Sequence, residues 1–390
     1  MLRPADADGQ IMIRLPALLA HLVDVGASDL HLKVPAPPVV RVHGQLRSVP
    51  DQPSVTRADT ERILDELLDG QSGRKAEFDS SGEVDFSYSC PGVGRFRVSA
   101  FRQRGSISVV VRSVPSSVPA LEDLGLPDVV GRLADEERGI VLVTGATGSG
   151  KSTTLTAMID RINRVSSKHI VTVEDPIEML HSDRRSIINQ REVGSDTTTF
   201  TDALRRVLRQ DPDVLMIGEI RDLSTVETAL NAAETGHLVL STMHTVDATE
   251  TVNRTVGFFP QHQQQQVRAM LSATLRGVIS QRLVRRADGT GRVAAVEVLV
   301  NTGRAQEMIL NPEETGRLSE VIREGAYYGM QTFDQALLAH VQAGRVKAED
   351  ALRAANRPQD LRLLLAQVAA PAPAQPLQLP PRQAPELLPS

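Results

Sequence analysis

A run of glycine, lysine and hydroxyl-bearing residues near the middle of the chain has the composition of a phosphate-binding site. Its glycines would let backbone N–H groups turn toward an anion, the Lys151 ammonium would reach the outer phosphates, and the Ser152 hydroxyl would hold Mg²⁺. An apolar run that predicts a strand, Ile140–Thr144, comes directly before it, and a helical pattern, Thr153–Ile162, comes directly after it. This strand, loop and helix order predicts a nucleotide-phosphate site, with the helix N-terminus adding positive charge. The candidate residues are Gly145, Ala146, Thr147, Gly148, Ser149, Gly150, Lys151, Ser152 and Thr153.

Carboxylates follow two other predicted strands. Glu174 to Glu178 ends the apolar run Ile170–Glu174, and Glu219 follows Val214–Gly218. Phosphoanhydride hydrolysis needs one carboxylate to orient water and another to support the metal shell. Because ligands bind at the carboxyl ends of parallel strands, we expect both clusters to converge on the phosphate loop. The alternative is that these acids cap helices.

Two histidines and two arginines complete the candidate chemistry. His237 and His244 flank the predicted strand Leu238–Met243, and an imidazole there could sense a γ-phosphate or relay a proton. Arg97 and Arg112 lie on separate strands of the N-terminal part, opposite the apolar face. Periodicity alone favours a solvated sheet face for them, and the alternative is contact with a nucleotide held by another domain or subunit.

Composition excludes several classes of protein. The net charge is −5 and aromatic residues make up 3% with no Trp, so neither a basic field nor a stacking platform for nucleic acid is expected. A single cysteine, Cys90, excludes a disulfide framework within the chain and a tetracysteine zinc module. No apolar run approaches the roughly 18 residues of a membrane span, and no secretion signal is recognisable. We therefore expect a soluble cytoplasmic protein.

The order of patterns predicts an α/β fold with several parts. A small α+β domain occupies residues 1–114, and a proline-containing linker occupies 115–122. Strands that alternate with helices over 123–300 predict a mainly parallel sheet. Helical patterns alone fill 301–368, and a Pro-rich tail, 369–390, is expected to be extended or disordered. The further strand predictions are Asp29–Leu32, Val39–Val42, Val84–Ser89, Arg95–Phe101, Ile107–Arg112 and Val293–Leu299, with helices at Ile11–Val23 and about 57–69.

Four motifs in this order resemble those of the type II/IV secretion ATPases. The phosphate loop resembles the Walker A motif, Val173–Glu178 the Asp box, Asp211–Asp222 the Walker B motif and Gly236–Thr245 the His box. Ala27–Leu32 resembles the signature of the N-terminal PAS-like domain in that family, and the resemblance covers about residues 12–366. It implies a RecA-like core, ATP and Mg²⁺ as cofactors, and a homohexameric ring.

The same resemblance assigns roles to single residues. Glu178 would be the general base, and Glu219 would support Mg²⁺ and the attacking water, beside Gly218 where many ATPases carry a metal-binding Asp. His244 and His237 would sense the γ-phosphate. Arg97 and Arg112 would supply charge stabilisation from the N-terminal domain.

Within that family the chain looks most like the PilT-type ATPases of type IV pilus retraction. It lacks the tetracysteine site usual in the assembly ATPases, and Asn189–Val193 matches the PilT type. This branch implies a motor at the cytoplasmic face of the inner membrane that acts on the pilus platform protein. The retraction signature, however, is matched only in the second half of Arg317–Glu324. A PilU-like accessory ATPase and an assembly or secretion ATPase therefore stay open, as do a RecA-like nucleic-acid motor and a non-catalytic nucleotide sensor.

Overall fold

Two separate β-sheets divide the chain. The computed structural model describes residues 13–115 and 117–369. The predicted Pro-rich tail lies outside these residues except for its first position, and so do the first two residues of the predicted helix Ile11–Val23. Within the described ranges no helix is long and apolar enough to cross a membrane.

The first sheet has six antiparallel strands in the order β3-β2-β1-β6-β5-β4. Side chains alternate along its strands, so Phe96, Val98 and Ala100 of one strand are buried in an apolar core while Arg97 and Ser99 between them point to the opposite face. Helices cover the apolar face. The elements are α1 Leu15–Asp24, β1 Asp29–Lys33, β2 Val39–Val42, β3 Gln45–Ser48, α2 Arg57–Leu67, α3 Ser72–Ser81, β4 Glu83–Cys90, β5 Gly94–Gln103 and β6 Ser106–Val114.

The second sheet has seven strands in the order β13-β12-β7-β11-β10-β8-β9. All neighbouring pairs are parallel except β12 with β13, which confirms the predicted α/β class with a mainly parallel sheet. Helices pack on both faces, so the central strands are almost entirely buried. The elements are α4 Asp128–Ala134, β7 Gly139–Thr144, α5 Lys151–Val165, β8 His169–Glu174, β9 Ile187–Glu192, α6 Phe200–Val207, β10 Val214–Ile217, α7 Leu223–Glu234, β11 Leu238–Met243, α8 Ala248–Gly257, α9 Gln264–Thr274, β12 Leu275–Arg285 and β13 Arg292–Val300.

Up to residue 369, where the described part of the chain ends, helices alone follow the second sheet, as predicted. The last three of them pack on β12 and β13 around a small apolar core that includes Phe333 and Leu337. The first two extend the core of the second sheet, to which they contribute Met308 and Leu318. This helical layer therefore rests on the edge of the sheet farthest from β8 and β9. Its helices are α10 Gly303–Leu310, α11 Leu318–Glu324, α12 Phe333–Gln342, α13 Ala348–Ala354 and α14 Pro358–Ala369.

The first unit is joined to the second through the segment that follows β8. The buried Glu192 carboxylate lies 3.2 Å from the Arg95 guanidinium and accepts the backbone N–H of Ile177 at 3.0 Å. Arg97 donates to the carbonyl of the same residue, Ile177, at 3.0 Å. Burial alone would raise the pKa of Glu192, but hydrogen bonds from Ser87 and Ile177 and the Arg95 charge outweigh it and lower the pKa below its ordinary value.

Replacing Arg95 with Met should lower the free energy of unfolding by about 3 kcal/mol at neutral pH, because it leaves Glu192 charged, buried and without its cation. Since the pKa of Glu192 is lowered in the folded protein, the pair stabilises above the ordinary carboxyl pKa, and this contribution disappears as pH falls through the lowered value. Urea unfolding at neutral and acidic pH measures the difference in unfolding free energy between the wild type and Arg95→Met, and this difference should be smaller in acid. The exposed Arg47→Met is the control. Equal losses for both variants would contradict the assignment.

Candidate active site

The phosphate loop connects the buried strand β7 to helix α5. Its backbone takes positive φ values at Gly145, Gly148 and Gly150, of 141°, 77° and 93°. A Cβ atom on Gly145 would lie 2.5 Å from the carbonyl oxygen of Gln281 and 2.6 Å from the hydroxyl of Ser149. A side chain is therefore excluded at Gly145 by contact as well as by conformation.

Lys151 begins α5 and turns back over this loop. It is only 8% exposed, and its ammonium donates to the carbonyls of Gly145 at 2.8 Å and Ala146 at 3.1 Å. Burial lowers the pKa of Lys151 below its ordinary value, and the charges of Glu219 and Glu178 oppose that shift. The ammonium is thus held at the loop by oxygen acceptors that phosphate oxygens can replace.

Strand register brings the remaining candidates to the same place. Thr144 at the end of β7 pairs with Met243 at the end of β11, whose Ser241 pairs with Ile217 of β10, and Ile217 in turn pairs with Val173 of β8. The carboxyl ends of these strands therefore meet at one edge. A cavity of about 580 Å³ at that edge is lined by Lys151, Ser152, Glu174, Glu178, Glu219 and His244, among others.

Glu219 is held by two neighbours within this cavity. One carboxylate oxygen lies 2.8 Å from the Arg221 guanidinium, and the other lies 3.1 Å from Nε2 of His244. The hydroxyl of Thr242 donates to the carbonyl of Gly218 at 2.6 Å and fixes the end of the strand from which Glu219 extends. The pair Glu219–His244 thus links the ends of β10 and β11 directly.

The Asp box presents one carboxylate to the cavity and buries another. Glu174 is buried and accepts hydrogen bonds from the Thr172 hydroxyl at 2.7 Å, from Gln190 at 3.2 Å and from the backbone N–H of Glu178 at 3.3 Å. Burial raises the pKa of Glu174 despite these donors. Glu178 is exposed to the cavity, so Glu174 holds the backbone from which the Glu178 carboxylate reaches the solvent.

Gly218 stands where an aspartate would be expected to bind metal in many ATPases, and the packing explains why it is a glycine. A Cβ there would lie 3.3 Å from the carbonyl oxygen of Val173 and 3.4 Å from Cα of Glu174. These are backbone atoms of the adjacent strand and cannot easily move. The close pairing of β10 with β8 thus disfavours a side chain at this position.

The oxygen donors fit a Mg²⁺ site that is completed by a nucleotide. Among the described residues there is no cluster of three or more His, Cys, Asp or Glu side chains that could hold a metal by themselves. Mg²⁺ usually keeps several waters and takes one or two protein oxygens together with substrate phosphates. The Ser152 hydroxyl and the Glu219 carboxylate, which line the same cavity, are hard oxygen donors of that type.

His237 does not reach this cavity. It precedes β11, and its Nδ1 lies 2.9 Å from the carbonyl of Ala232 and 3.2 Å from the hydroxyl of Thr235. His244 follows the same strand, so about 20 Å of extended chain separates the two histidines, which lie at the two ends of β11. The prediction that His237 contacts the nucleotide is corrected accordingly: within the chain this side chain closes the turn between α7 and β11.

Arg97 and Arg112 line a different cavity, of about 380 Å³, between the first sheet and the Asp box. Asp175 and Pro176 border both cavities and separate these arginines from the phosphate loop. Arg112 pairs with Asp29 at 2.8 Å, yet its side chain is 64% exposed. Within one chain the arginines are therefore near the Asp box but do not line the cavity of Lys151.

Several residues that line the cavity were not predicted from the sequence. Arg221 lies within Asp211–Asp222, but no role was predicted for it. Its position two residues after Glu219 could have indicated that its side chain contacts the same site. Phe200 begins α6, and Arg292 and Leu283 come from the hairpin of β12 and β13. No sequence signal pointed to the hairpin residues, because β12 itself was not predicted.

The chain is similar to known proteins over most of its length. Residues 5–353 match the family described as "Type II/IV secretion system protein". The chain is 44% identical to the "Type IV pilus retractation ATPase PilT" of Pseudomonas aeruginosa, over 88% of this chain and 98% of that protein. It is 42% identical to the "Type IV pilus ATPase PilU" of the same organism, over 89% and 90%. A crystal structure of the pilus retraction motor PilT with bound ADP superposes with a TM-score of 0.81 at 44% identity, covering 90% of this chain and 99% of that one.

The loop geometry predicts different costs for alanine at two of its glycines. Both Gly145→Ala and Gly148→Ala force a side chain into positive φ, which costs about 1 kcal/mol. Only Gly145→Ala adds a clash with backbone, whereas no atom lies within 4 Å of a Cβ at Gly148. Thermal or urea unfolding should therefore show a loss of about 3 kcal/mol for Gly145→Ala and about 1 kcal/mol for Gly148→Ala. Similar losses would mean that the close contact with Gln281 is not a constraint.

Proposed function

The chain belongs to the type II/IV secretion system protein family, and on that premise we propose that it is the ATPase motor that powers retraction of a type IV pilus. One observation carries the chemistry: Lys151, Glu178, Glu219 and His244, from four separate motifs, share one cavity. The relatives that are similar over nearly their whole length supply the cellular process, pilus retraction and twitching motility.

In the proposed reaction the loop and Lys151 bind the phosphates of ATP. Backbone N–H groups and the N-terminus of α5 face the phosphate oxygens, and Lys151 exchanges its carbonyl acceptors for them. Ser152 and, through water, Glu219 would hold Mg²⁺, which neutralises charge on the β- and γ-phosphates when bound. These groups position the terminal phosphate beside Glu178.

Glu178 then orients the attacking water and accepts its proton. Glu178 is open to the cavity, as is the neighbouring Asp175, whereas Glu174 is buried and occupied by three donors. The resemblance to the Asp box assigns the base to Glu178. His244, which contacts Glu219, reports the presence of the γ-phosphate to the end of β11. The terminal phosphate leaves as inorganic phosphate, with ADP as the other product.

The working unit is a homohexamer in which another subunit completes each site. The exposed Arg112, together with Arg97, stabilises the transferred phosphate charge when the first domain of one subunit closes on the core of its neighbour. We place the domain boundaries of each subunit at residues 114, 122, 300 and 368, so that the first domain, the linker, the core and the C-terminal helices are separate parts. The exposed fraction of Arg112 and the nearness of both arginines to the Asp box support this assignment.

The motor acts at the cytoplasmic face of the inner membrane, on the pilus platform protein. Opening and closing of successive subunits deforms the ring, and the platform protein passes this movement to the pilus. Nucleic acid is not a partner, because the net charge is −5 and no Trp is present.

An accessory retraction ATPase is the second candidate. It is favoured by two observations, the 42% identity to PilU and the incomplete match of Arg317–Glu324 to the retraction signature. The chemistry is the same for both candidates. They differ in whether retraction stops or only weakens when the protein is inactive.

Glu178→Gln should lower the ATP turnover number by at least about 100-fold while nucleotide affinity changes little, because the variant loses the base and keeps the phosphate loop. Phosphate release and binding of a fluorescent ATP analogue measure the two effects. In the chromosome the same variant should leave surplus surface pili and abolish twitching. Residual movement would favour the accessory role.

Glu307→Gln, an exposed acid of α10, is the matched control and should keep wild-type turnover. Wild-type turnover in Glu178→Gln would refute the base, and cells without surface pili would refute retraction in favour of assembly.

A further inference from the structure

A buried acid in β13 has no part in the chemistry described above. Glu297 is 4% exposed and pairs across the strands with Ser280 of β12. Burial raises the pKa of Glu297 to about 7, with the nearby charge of Asp247 adding to the rise and that of Arg282 opposing it. An acid at such a position weakens the fold relative to a well-packed neutral residue. Its presence therefore calls for a role other than stability.

The Glu297 carboxylate accepts the first backbone N–H of two different helices. Ala248, the first residue of α8, donates to it at 3.1 Å, and Phe333, the first residue of α12, donates as well. The N-cap side chains of these helices, Asp247 and Thr332, are already occupied with the third N–H of their own helix. Glu297 thus satisfies donors that the caps do not reach, and its charge lies between two positive helix ends.

One of these helices begins immediately after the His244 loop. Only three residues separate His244 from Ala248. That short connection is held to α8 by a buried hydrogen bond between the hydroxyls of Thr245 and Thr251, at 2.7 Å, and by the N–H of Val246 bonded to Glu250. His244 itself contacts Glu219. Any shift of the first turn of α8 will therefore move His244 relative to Glu219.

The other helix belongs to the C-terminal layer. Phe333 packs its ring under the guanidinium of Arg282, 3.9 Å from the ring centroid, and Arg282 donates to the carbonyl of Ala354 in α13. Glu297 also borders a cavity of about 480 Å³ together with Arg323. Arg323 lies in the segment that half-matches the retraction signature. The carboxylate is consequently in contact with the helix that follows the His244 loop and with the C-terminal helical layer.

We propose that Glu297 is a positioning residue that fixes the His244 loop against the C-terminal helices and so keeps His244 aligned with Glu219. The inference rests on the proposed function, because ATP turnover is its first readout. It adds a residue outside the four motifs to the machinery of the reaction.

Two variants of the full-length protein break the contact in different ways. Glu297→Gln removes the charge and one acceptor oxygen. Ala248→Pro removes the donated N–H and adds two ring carbons at a buried position. Its backbone is compatible with proline, since proline is well tolerated at the first helical position and the preceding Asp247 is already extended, with φ −154° and ψ 175°. We expect each variant to lower the turnover number about tenfold with the KM for ATP within about twofold, because the phosphate loop on β7 is untouched.

Combination with His244→Ala tests whether the effect passes through His244. In that background Glu297→Gln should change turnover by less than about twofold, since groups that act as a unit are not additive. Gln331→Ala is the control. It breaks a 2.8 Å hydrogen bond between β13 and the segment before α12 without touching α8, so it should lower thermal stability but leave turnover unchanged.

Unchanged turnover in both contact variants, or the same factor in both backgrounds, would overturn the proposal. An NMR signal from ¹⁵N-labelled His244 provides a readout that does not need hydrolysis. It should shift in Glu297→Gln and Ala248→Pro but not in Gln331→Ala, and an unshifted signal would also overturn the proposal. A wild-type protein that binds ATP without hydrolysing it would refute the proposed function instead, and the His244 signal would then decide this inference alone.

Discussion

The relative register of four buried parallel strands determines where the candidate catalytic residues of this chain lie. Strands β7, β11, β10 and β8 pair so that Thr144, Met243, Ile217 and Val173 reach the same edge. A parallel pair that slipped by one residue would turn each following side chain to the other face of the sheet. The packing opposes such a slip, because a Cβ at Gly145 would lie 2.5 Å from the carbonyl oxygen of Gln281 in β12. The glycines and the buried apolar side chains therefore hold the site in place together.

Much of the fold and most of the cavity could be predicted because their signals are local. Val39–Val42 and Leu238–Met243 were predicted to the residue. Strands β3, β9 and β12 and helix α3 were missed. β3 is fully exposed and has no apolar face, while β12 follows α9 without a turn residue between them.

The remaining features depend on contacts between distant parts of the chain, which periodicity does not contain. His237 and His244 look equivalent as flanks of one strand, yet strand direction places them at opposite edges. Arg97 and Arg112 have the same pattern as any polar sheet face, and only the joint with the Asp box distinguishes them. Arg292 is brought to the cavity by a hairpin whose first strand was not predicted. In the sequence Glu297 is a single acid within an apolar strand. Its contacts with the first residues of α8 and α12 exist only in the folded chain, where both helices pack against β13.

The peptide of Ile177 is held on both sides by groups that belong to, or are paired with, the first domain. Its N–H is bonded to Glu192, which Arg95 holds, and its carbonyl accepts from Arg97, while the next N–H, of Glu178, is bonded to Glu174. A rotation of the first domain must either carry this peptide with it or break two charged hydrogen bonds. Mechanical load on that domain is therefore transmitted to the backbone of the proposed base. In the proposed ring, ATP hydrolysis would therefore depend on mechanical load, because a displaced first domain would pull on the backbone that carries the Glu178 carboxylate.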